Sequence, residues 1–155
     1  MSQENFHPDK ITKYGSIFAF ENFLAKSRLS AVEKSLLKIR ISQINKCGFC
    51  EDLHIRELRG LGDIELRIAT IRVWRNNACF TETEKTIFSI AEELCTANSK
   101  LSAETLSVAS RVLDRISLAQ VITIILVTNF WNKIFSDVLP VPVIDSVIPG
   151  YISCV

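Results

Sequence analysis

The sequence is poor in glycine and proline, which together account for nine of 155 residues, about 6%. That is roughly half of average usage, and it excludes collagen-like and low-complexity chains. Because few turn-forming residues are present, we expect long regular elements with few connections, which favours helices. Apolar residues make up 48% and charged residues 23%, which excludes a disordered chain. The length fits a single domain over residues 1–155.

The sequence also lacks a charge excess and a long apolar run. A formal net charge of +1 gives no argument for nucleic acid or an anionic membrane as partner. The first sixteen residues have no apolar core of a signal peptide. The longest apolar run, Val121 to Val127, is interrupted by Thr123 and falls well short of the ~20 residues that cross a bilayer. We therefore expect a soluble protein with neither nucleic acid nor membrane as partner.

Five cysteines are an odd number in a chain that is too large to need disulfide bonds for folding. This usage indicates reduced thiols and a cytoplasmic location. Cys95 lies on the apolar stripe of a predicted helix, Cys79 precedes Phe80 in a loop, and Cys154 is next to the C-terminus. Cys95 is therefore expected in the core, and neither Cys79 nor Cys154 has a charged neighbour in sequence that would activate it. We assign the three no role.

Helical signals follow one another along the chain, and no strand pattern competes with them. A hydroxyl residue followed three positions later by Glu or Gln predicts a helix start, as at Ser30, Thr81 and Ser117. The segment that follows Ser117 is apolar nearly all round, which is typical of a central helix. The predicted fold class is all-α, a compact arrangement of several helices. The predicted helices are 16–26, from Ser30 toward Asn45, 49–59, from Asp63 through Trp74, from Thr81 with an apolar stripe that reaches Cys95, from Ser102 to near Val112, and from Ser117 to about Phe135.

The last eighteen residues, 138–155, form an apolar tail in which eleven residues are apolar and no basic residue occurs. Its three prolines favour an extended chain. Two interpretations stay open: the tail lies along the protein's own core, or it packs onto a neighbouring subunit.

One constellation carries chemistry: the sequence Cys47-Gly48-Phe49-Cys50, with His54 one turn further on. Two thiols separated by two residues at a helix start can close a short disulfide, and the helix N-terminus stabilises a thiolate. Cys50 and His54 are spaced i and i+4, so both side chains lie on one helix face. An imidazole there can accept the thiol proton near neutral pH. The pattern predicts thiol–disulfide exchange or peroxide reduction through a sulfenic acid.

Two other interpretations of these residues compete with the redox one. Cys47, Cys50 and His54 could supply three zinc ligands, but no second pair of ligand spacing follows, and His7 is the only other histidine. Both cysteines could also be small buried apolar side chains without chemistry. The histidine one turn after the pair favours the redox interpretation, with no metal.

The stretch 37–54, LKIRISQINKCGFCEDLH, resembles the core motif of the carboxymuconolactone decarboxylase superfamily. It is most similar to the alkylhydroperoxidase D (AhpD)-like branch, with its pattern Arg-Val-Ser-Gln-x-Asn-x-Cys-x-x-Cys-x-x-x-His. The similarity continues in order and spacing from about residue 29 to 133. The further matching pieces are Trp74, the sequence FTETE at 80–84, AEEL at 91–94 and NFWNK at 129–133.

The resemblance implies an all-helical AhpD-like fold that assembles as a homo-oligomer, often a trimer or hexamer. It also implies peroxidase and disulfide reductase activity without a bound cofactor, with a peroxide as substrate and a dithiol or a protein as reductant. Carried over, Cys50 is the peroxidatic cysteine, Cys47 resolves the intermediate, and His54 serves in the proton relay. The residues alone leave that order open, because the helix start could equally favour Cys47.

One position departs from the family pattern. The family usually has a glutamate twelve residues before the first motif cysteine, and this chain has Ser35 there. A hydroxyl cannot supply the charge that stabilises an imidazolium. Glu33 is nearby but is explained by its capping box, and Glu92 is a second acidic candidate for the site. The substitution predicts weak peroxidase activity or a different oxidant.

Two functions of other kinds stay open beside the thiol peroxidase. A non-catalytic oligomer that senses redox state or binds a partner would retain disulfide formation without peroxide turnover. A lactone decarboxylase is disfavoured, because proton transfer on a lactone does not need paired thiols.

Overall fold

The computed structural model describes residues 24, 27–62, 64–96 and 99–138, and this part of the chain is helical, without strands. The prediction of an all-α fold is therefore confirmed. Its elements are α1 (Ala31–Ile44), α2 (Gly48–Arg59), α3 (Glu65–Thr70), a 3₁₀ segment (Ile71–Asn76), α4 (Glu82–Leu94), α5 (Ala103–Val112), α6 (Arg115–Lys133) and a π turn (Ile134–Val138). Of the predicted helix over 16–26, the described part includes only Leu24, which is helical and buried. His7, Asp63, Cys154 and the tail beyond Val138 lie outside the described residues.

Helix α1 is the centre of the fold, and it packs against α2, α4 and α6. Its predicted capping box is present: Ser30 Oγ accepts from the Glu33 amide, and the Glu33 carboxylate accepts from the Ser30 amide. Apolar side chains cover more than one side of α1, because it has helices on several sides. Those that are fully buried are Leu36, Leu37, Ile39 and Ile41.

Helix α6 is not the central element that its all-apolar sequence predicted. It packs on α1, α4 and α5 through one face. On the other face Ile116, Leu126 and Phe130 are 53%, 60% and 37% exposed. Apolar composition alone does not determine which face of a helix meets the core, so the prediction was wrong on this point.

The start of α6 also differs from the prediction. Asp114 is the N-cap, and its carboxylate accepts from the Ser117 amide at 2.7 Å, so the Ser117/Gln120 capping box does not form. The Gln120 side chain instead accepts from the Arg28 amide at 3.1 Å, across 92 residues of sequence. Aspartate and serine are about equally strong N-cap residues, so N-cap propensity alone does not decide between Asp114 and Ser117. The contacts of Arg28 with both Asp114 and Gln120 favour the start that is observed.

By length and composition alone, the helical segment over residues 115–137 could span a membrane. The same test is passed by helices of a protein core, and Val121, Ile124 and Ile125 are buried against the other helices here. The apolar run of residues 121–127 is too short to span a bilayer, but the whole helical segment is long enough by this test. The absence of a membrane partner stays a prediction.

The segment predicted as one helix from Asp63 through Trp74 is divided in two. Helix α3 starts after Ile64, which makes no side-chain cap, and the chain changes to the 3₁₀ segment at Ile71. Val73 has non-helical backbone angles, φ −116° and ψ 31°. This kink turns Val73 into solvent while Trp74 is buried, with its ring 5.6 Å from that of Phe88.

The remaining predicted helix starts are confirmed. Thr81 and Glu84 form a capping box at α4, and Ser102 caps α5 through the Thr105 amide. Along α4 the predicted apolar stripe is buried at Ile87, Ile90 and Ala91, and it becomes half-buried at Leu94 and Cys95, where the helix ends.

Candidate redox site

The tight turn between α1 and α2 places two cysteines at the start of α2. Lys46 has a positive φ of 58°, and the Cys47 amide donates to the Ser42 carbonyl at 3.0 Å. Cys47 is the N-cap residue of α2, and its Sγ accepts from the Cys50 amide at 3.4 Å. The structure therefore has a helix start at the cysteine pair, as the sequence predicted, and a sulfur atom caps it. Backbone N–H groups at a helix N-terminus stabilise negative charge.

Cys47 and Cys50 are joined by a disulfide, with their Cα atoms 5.3 Å apart. That separation lies in the usual range for disulfides. The two cysteines are only 2% and 3% exposed. The pair is thus in its oxidised form within this turn, whereas Cys79 and Cys95 carry free thiols.

His54 lies one turn after Cys50 on the same face of α2 and is 2% exposed. Its Nδ1 is 2.8 Å from Oε2 of Glu57, a carboxylate three residues later on the same helix. The structure therefore brings Cys47, Cys50 and His54 together on the first turns of α2, and it adds Glu57 to them.

The electrostatics of Glu57 favour the ionised carboxylate. Burial raises its pKa, but the hydrogen bond and charge of His54, together with the charge of Lys38 on α1, outweigh burial. The net effect lowers the pKa of Glu57 below its ordinary value. An anionic carboxylate thus lies against the His54 imidazole.

The two acidic candidates from the sequence, Glu33 and Glu92, are engaged in contacts away from His54. Glu33 is held by the capping box at Ser30, as expected. Glu92 on α4 accepts from Trp74 Nε1 at 2.8 Å and pairs with Arg40 and Arg75. Glu92 therefore ties α1, α4 and the 3₁₀ segment together instead of orienting the histidine.

A second set of contacts links the cysteine turn to α6. The side-chain nitrogen of Asn45, Nδ2, donates to the side-chain oxygens of Asn129 and Asn132 at 2.6 and 2.9 Å. Nδ2 of Asn132 donates to Ser42 Oγ at 3.2 Å. Two segments that match the family pattern, around residues 37–54 and 129–133, thus contact each other at the turn that precedes Cys47.

Cys95 lies at the edge of this network, where its Sγ donates to the Asn129 side-chain oxygen at 3.3 Å. Burial raises the pKa of the Cys95 thiol, although Asn129 and the charge of Arg40 act in the other direction. A raised pKa keeps Cys95 a neutral thiol, which agrees with assigning it no redox role.

Glu51, the residue directly after Cys50, is held by two side chains from outside α2. Gln43 Nε2 donates to it at 2.9 Å, and Arg72 Nη2 donates to both carboxylate oxygens at 2.9 and 3.0 Å. A negative charge beside the thiols is therefore offset by an arginine of the 3₁₀ segment.

An aromatic cluster begins at Phe49, which lies between the two cysteines in sequence. The Phe49 ring is 5.0 Å from that of Phe135, which stacks on Trp131 at 5.9 Å. Phe135 and Trp131 are buried. The first turn of α2 thus carries both an apolar contact to the π turn after α6 and the charged Glu51.

Two open cavities in the described part of the chain lie away from this pair. One of about 430 Å³ is lined by residues of the 3₁₀ segment, α4 and α5, and one of about 350 Å³ by residues 72–77. Neither is lined by Cys47, Cys50 or His54. Among the described residues, no group of three or more His, Cys, Asp or Glu has a geometry that could hold a metal ion.

Comparison with known proteins agrees with this architecture. A protein from Bacillus subtilis (strain 168), the uncharacterized protein YdfG, is 29% identical over 117 residues, 74% of this chain and 78% of its own. A solved structure from Agrobacterium tumefaciens, ATU0492, covers 92% of this chain and 100% of its own, with a TM-score of 0.78 and 25% identity. That protein is of unknown function and is provisionally described as the antioxidant defence protein AhpD.

A second solved structure, an uncharacterized peroxidase-related protein from Silicibacter sp. TM1040, shares the fold with a TM-score of 0.67. It is 21% identical, and the match covers 80% of this chain and 66% of that one. The model of the carboxymuconolactone decarboxylase family matches residues 14–93, more than half of the chain. The fold is AhpD-like, and the chain belongs to the carboxymuconolactone decarboxylase family.

Proposed function

We propose that this protein is a thiol-dependent peroxidase and disulfide reductase, in which Cys47 and Cys50 cycle between dithiol and disulfide. The observation that carries the proposal is the disulfide at the start of α2, with a buried histidine one turn further on. The solved neighbours described as AhpD and as peroxidase-related support the same class of activity.

The first step uses the reduced pair. His54 takes the proton of the Cys50 thiol, and the thiolate attacks the terminal oxygen of a peroxide, ROOH. The O–O bond breaks, Cys50 becomes a sulfenic acid, and the leaving RO⁻ takes a proton from the His54 imidazolium to leave as ROH. Cys50 is assigned to this step because it shares a helix face with His54.

In the second step the Cys47 thiolate attacks Cys50 Sγ, forms the disulfide and expels hydroxide, which takes up a proton to become water. The contact from the Cys50 amide to Cys47 Sγ supports this role, because an amide that points at the sulfur stabilises a thiolate. An external dithiol or a protein reductant then restores both thiols by two exchange steps and is itself oxidised to a disulfide.

We also propose a homo-oligomer in the cytoplasm, a trimer or hexamer, with no nucleic acid and no membrane as partner. The exposed apolar side chains of α6, Ile116, Leu126 and Phe130, support association with another copy, since large apolar patches are rare on monomers. Mass in solution, measured by light scattering after gel filtration, tests the oligomer, and a monomeric mass contradicts it.

A peroxide-consumption assay with several dithiols tests the activity, comparing the wild type with Cys50→Ser and Cys47→Ser. We expect no turnover with Cys50→Ser, and a sulfenic acid that persists at Cys50 with Cys47→Ser. Cys95→Ser is the matched control, since Cys95 is a free thiol outside the pair and should leave turnover unchanged.

The alternatives give different outcomes. Peroxide that closes the Cys47–Cys50 disulfide without multiple turnover, whatever the reductant, would identify a redox sensor. If the reduced wild type forms no disulfide with near-stoichiometric peroxide, the proposal is wrong. Turnover of a lactone that survives Cys50→Ser would place the chain with the decarboxylases of its family.

A further inference from the structure

The environment of His54 specifies which of its two ring nitrogens carries the proton. A neutral imidazole has one N–H and one unprotonated nitrogen, and the group bonded to one nitrogen determines the role of the other. Here Nδ1 is 2.8 Å from the Glu57 carboxylate oxygen Oε2, and an ionised carboxylate can only accept a hydrogen bond. Nδ1 therefore carries a proton, and Nε2 is the nitrogen that can take up or release one.

The His54–Glu57 pair is shielded from solvent. The two side chains are 3% and 12% exposed, so their interaction is weakened by water less than that of a surface pair. The positive charge of Lys38 on α1 also favours the ionised form of Glu57. The charge of Lys38 and the contact with His54 together keep the carboxylate ionised.

We propose that Glu57 is the positioning residue of His54: its carboxylate fixes the Nδ1–H tautomer and stabilises the imidazolium that forms when Cys50 gives up its proton. The catalytic part of this inference rests on the proposed function. Glu57 is not itself a proton carrier, because it stays ionised while the proton moves from Cys50 Sγ to Nε2 and then to the leaving oxygen.

The charge of Glu57 matters most at the first step. Forming a thiolate and an imidazolium from two neutral groups costs free energy in a buried site, and a carboxylate at 2.8 Å lowers that cost. Without it, thiolate would form only at a higher pH, and peroxide would react more slowly near neutral pH.

The test compares Glu57→Gln, which keeps size and removes charge, with Glu57→Asp, which keeps charge. Asp52→Asn is the matched control on the same helix, since Asp52 pairs with Arg56 and both side chains are about half exposed. Because the chain has only two histidines, a His7→Asn background leaves one imidazole, and ¹⁵N NMR of His54 reports both its tautomer and its titration.

In the wild type we expect the Nδ1–H tautomer. Glu57→Gln should lower the imidazole pKa of His54 by about one unit or more. It should also slow the reaction of the reduced protein with peroxide at pH 7 about tenfold and move the rising limb of the pH–rate profile to higher pH. Glu57→Asp should show each of these three changes only in part, and Asp52→Asn should show none of them.

Two results would overturn the inference: an Nε2–H tautomer in the wild type, or a His54 titration that Glu57→Gln leaves in place. The tautomer is read from the wild-type fold, so the test survives if Glu57→Gln does not fold. The NMR titration needs no turnover. A shifted titration in a protein that consumes no peroxide would therefore reject the proposed function and keep the role of Glu57 toward His54.

Discussion

Asn132 donates a hydrogen bond to Ser42 Oγ across 90 residues of sequence, and both residues are buried. Ser42 in turn donates to the Lys38 carbonyl, and its own carbonyl accepts from the Cys47 amide. Asn132 also accepts from Asn45, one residue before the strained Lys46. The turn that carries the cysteine pair is therefore tied to α6 through a buried polar network.

Asn132→Leu, which keeps volume and removes both polar contacts, should lower the free energy of unfolding by about 2 kcal/mol. It removes the donor to Ser42 Oγ, which keeps its bond to the Lys38 carbonyl, and the acceptor of one N–H of the half-buried Asn45. Each lost hydrogen bond costs about 1 kcal/mol. Urea denaturation of the reduced and of the oxidised protein measures this loss in the free energy of unfolding. In a double-mutant cycle with Ser42→Ala the two losses should be less than additive, and full additivity would show that the pair is not coupled.

Such contacts explain what the sequence could and could not predict. The helix of residues 31–44 and its capping box depend on residues three positions apart, and both were predictable. The N-cap at Asp114 was missed because Gln120 matched a local pattern, while the structure uses Gln120 to bind the Arg28 amide. Sequence spacing carries no information on a partner 92 residues away.

The two capping boxes should differ in the free energy they contribute, although their sequence pattern is the same. Glu84→Ala should destabilise by about 3 kcal/mol, because it leaves Arg67 without its partner in a largely buried ion pair. Glu33→Ala should cost about 1 kcal/mol, since its contacts to Ser30 are at an exposed helix end. Thermal or urea unfolding of the two variants side by side decides, and equal losses would contradict the argument from burial.

The lowered pKa of Glu57 predicts how stability depends on pH. A carboxyl group whose folded pKa lies below its ordinary value of 4.5 stabilises the fold above that pH and loses the effect as pH falls through the folded pKa. Glu57→Gln should therefore lower the free energy of unfolding by roughly 1–3 kcal/mol at pH 6, and the gap to the wild type should close toward pH 3. Urea titrations from pH 3 to 6 measure this, with Asp52→Asn as control. A gap that is constant with pH would show that the charge of Glu57 contributes nothing.

Position 35 leads to a different expectation now that a carboxylate is known to contact His54. Ser35 is buried on α1, and the sequence predicted weak peroxidase activity from the missing glutamate there. Since Glu57 already contacts Nδ1, we expect Ser35→Glu to leave the rate with peroxide no higher than in the wild type. It should also lower stability relative to Ser35→Gln, because a buried charge must be desolvated. A faster reaction with Ser35→Glu would restore the earlier prediction.

The part of the candidate site that lies on one helix could be predicted from the sequence. Cys50 and His54 at i and i+4 were predicted to share a face, and they do. Glu57 follows His54 at i+3, and the same helix geometry places it beside His54, whereas the family pattern has its glutamate at position 35. The pairing of Glu92 with Arg40, Trp74 and Arg75 joins distant segments, so only the structure could show that Glu92 is engaged elsewhere.

Arg72 should control the acidity of the cysteine pair from outside its helix. Glu51 directly follows Cys50, and its charge repels a thiolate, which raises the thiol pKa. Arg72 binds both oxygens of Glu51 and offsets that charge. Arg72→Ala should therefore raise the pKa of the more acidic thiol of the reduced pair, and Glu51→Gln should lower it. Both shifts should shrink in high salt, because Arg72 is 60% exposed and exposed charges are screened.

The rate of iodoacetamide alkylation against pH measures the pKa of the more acidic thiol. Arg56→Ala, which breaks an exposed ion pair with Asp52 on the same helix, is the control. Equal effects of Arg72→Ala and Arg56→Ala would mean that only the net charge of the surface matters, and that the contact with Glu51 has no specific role.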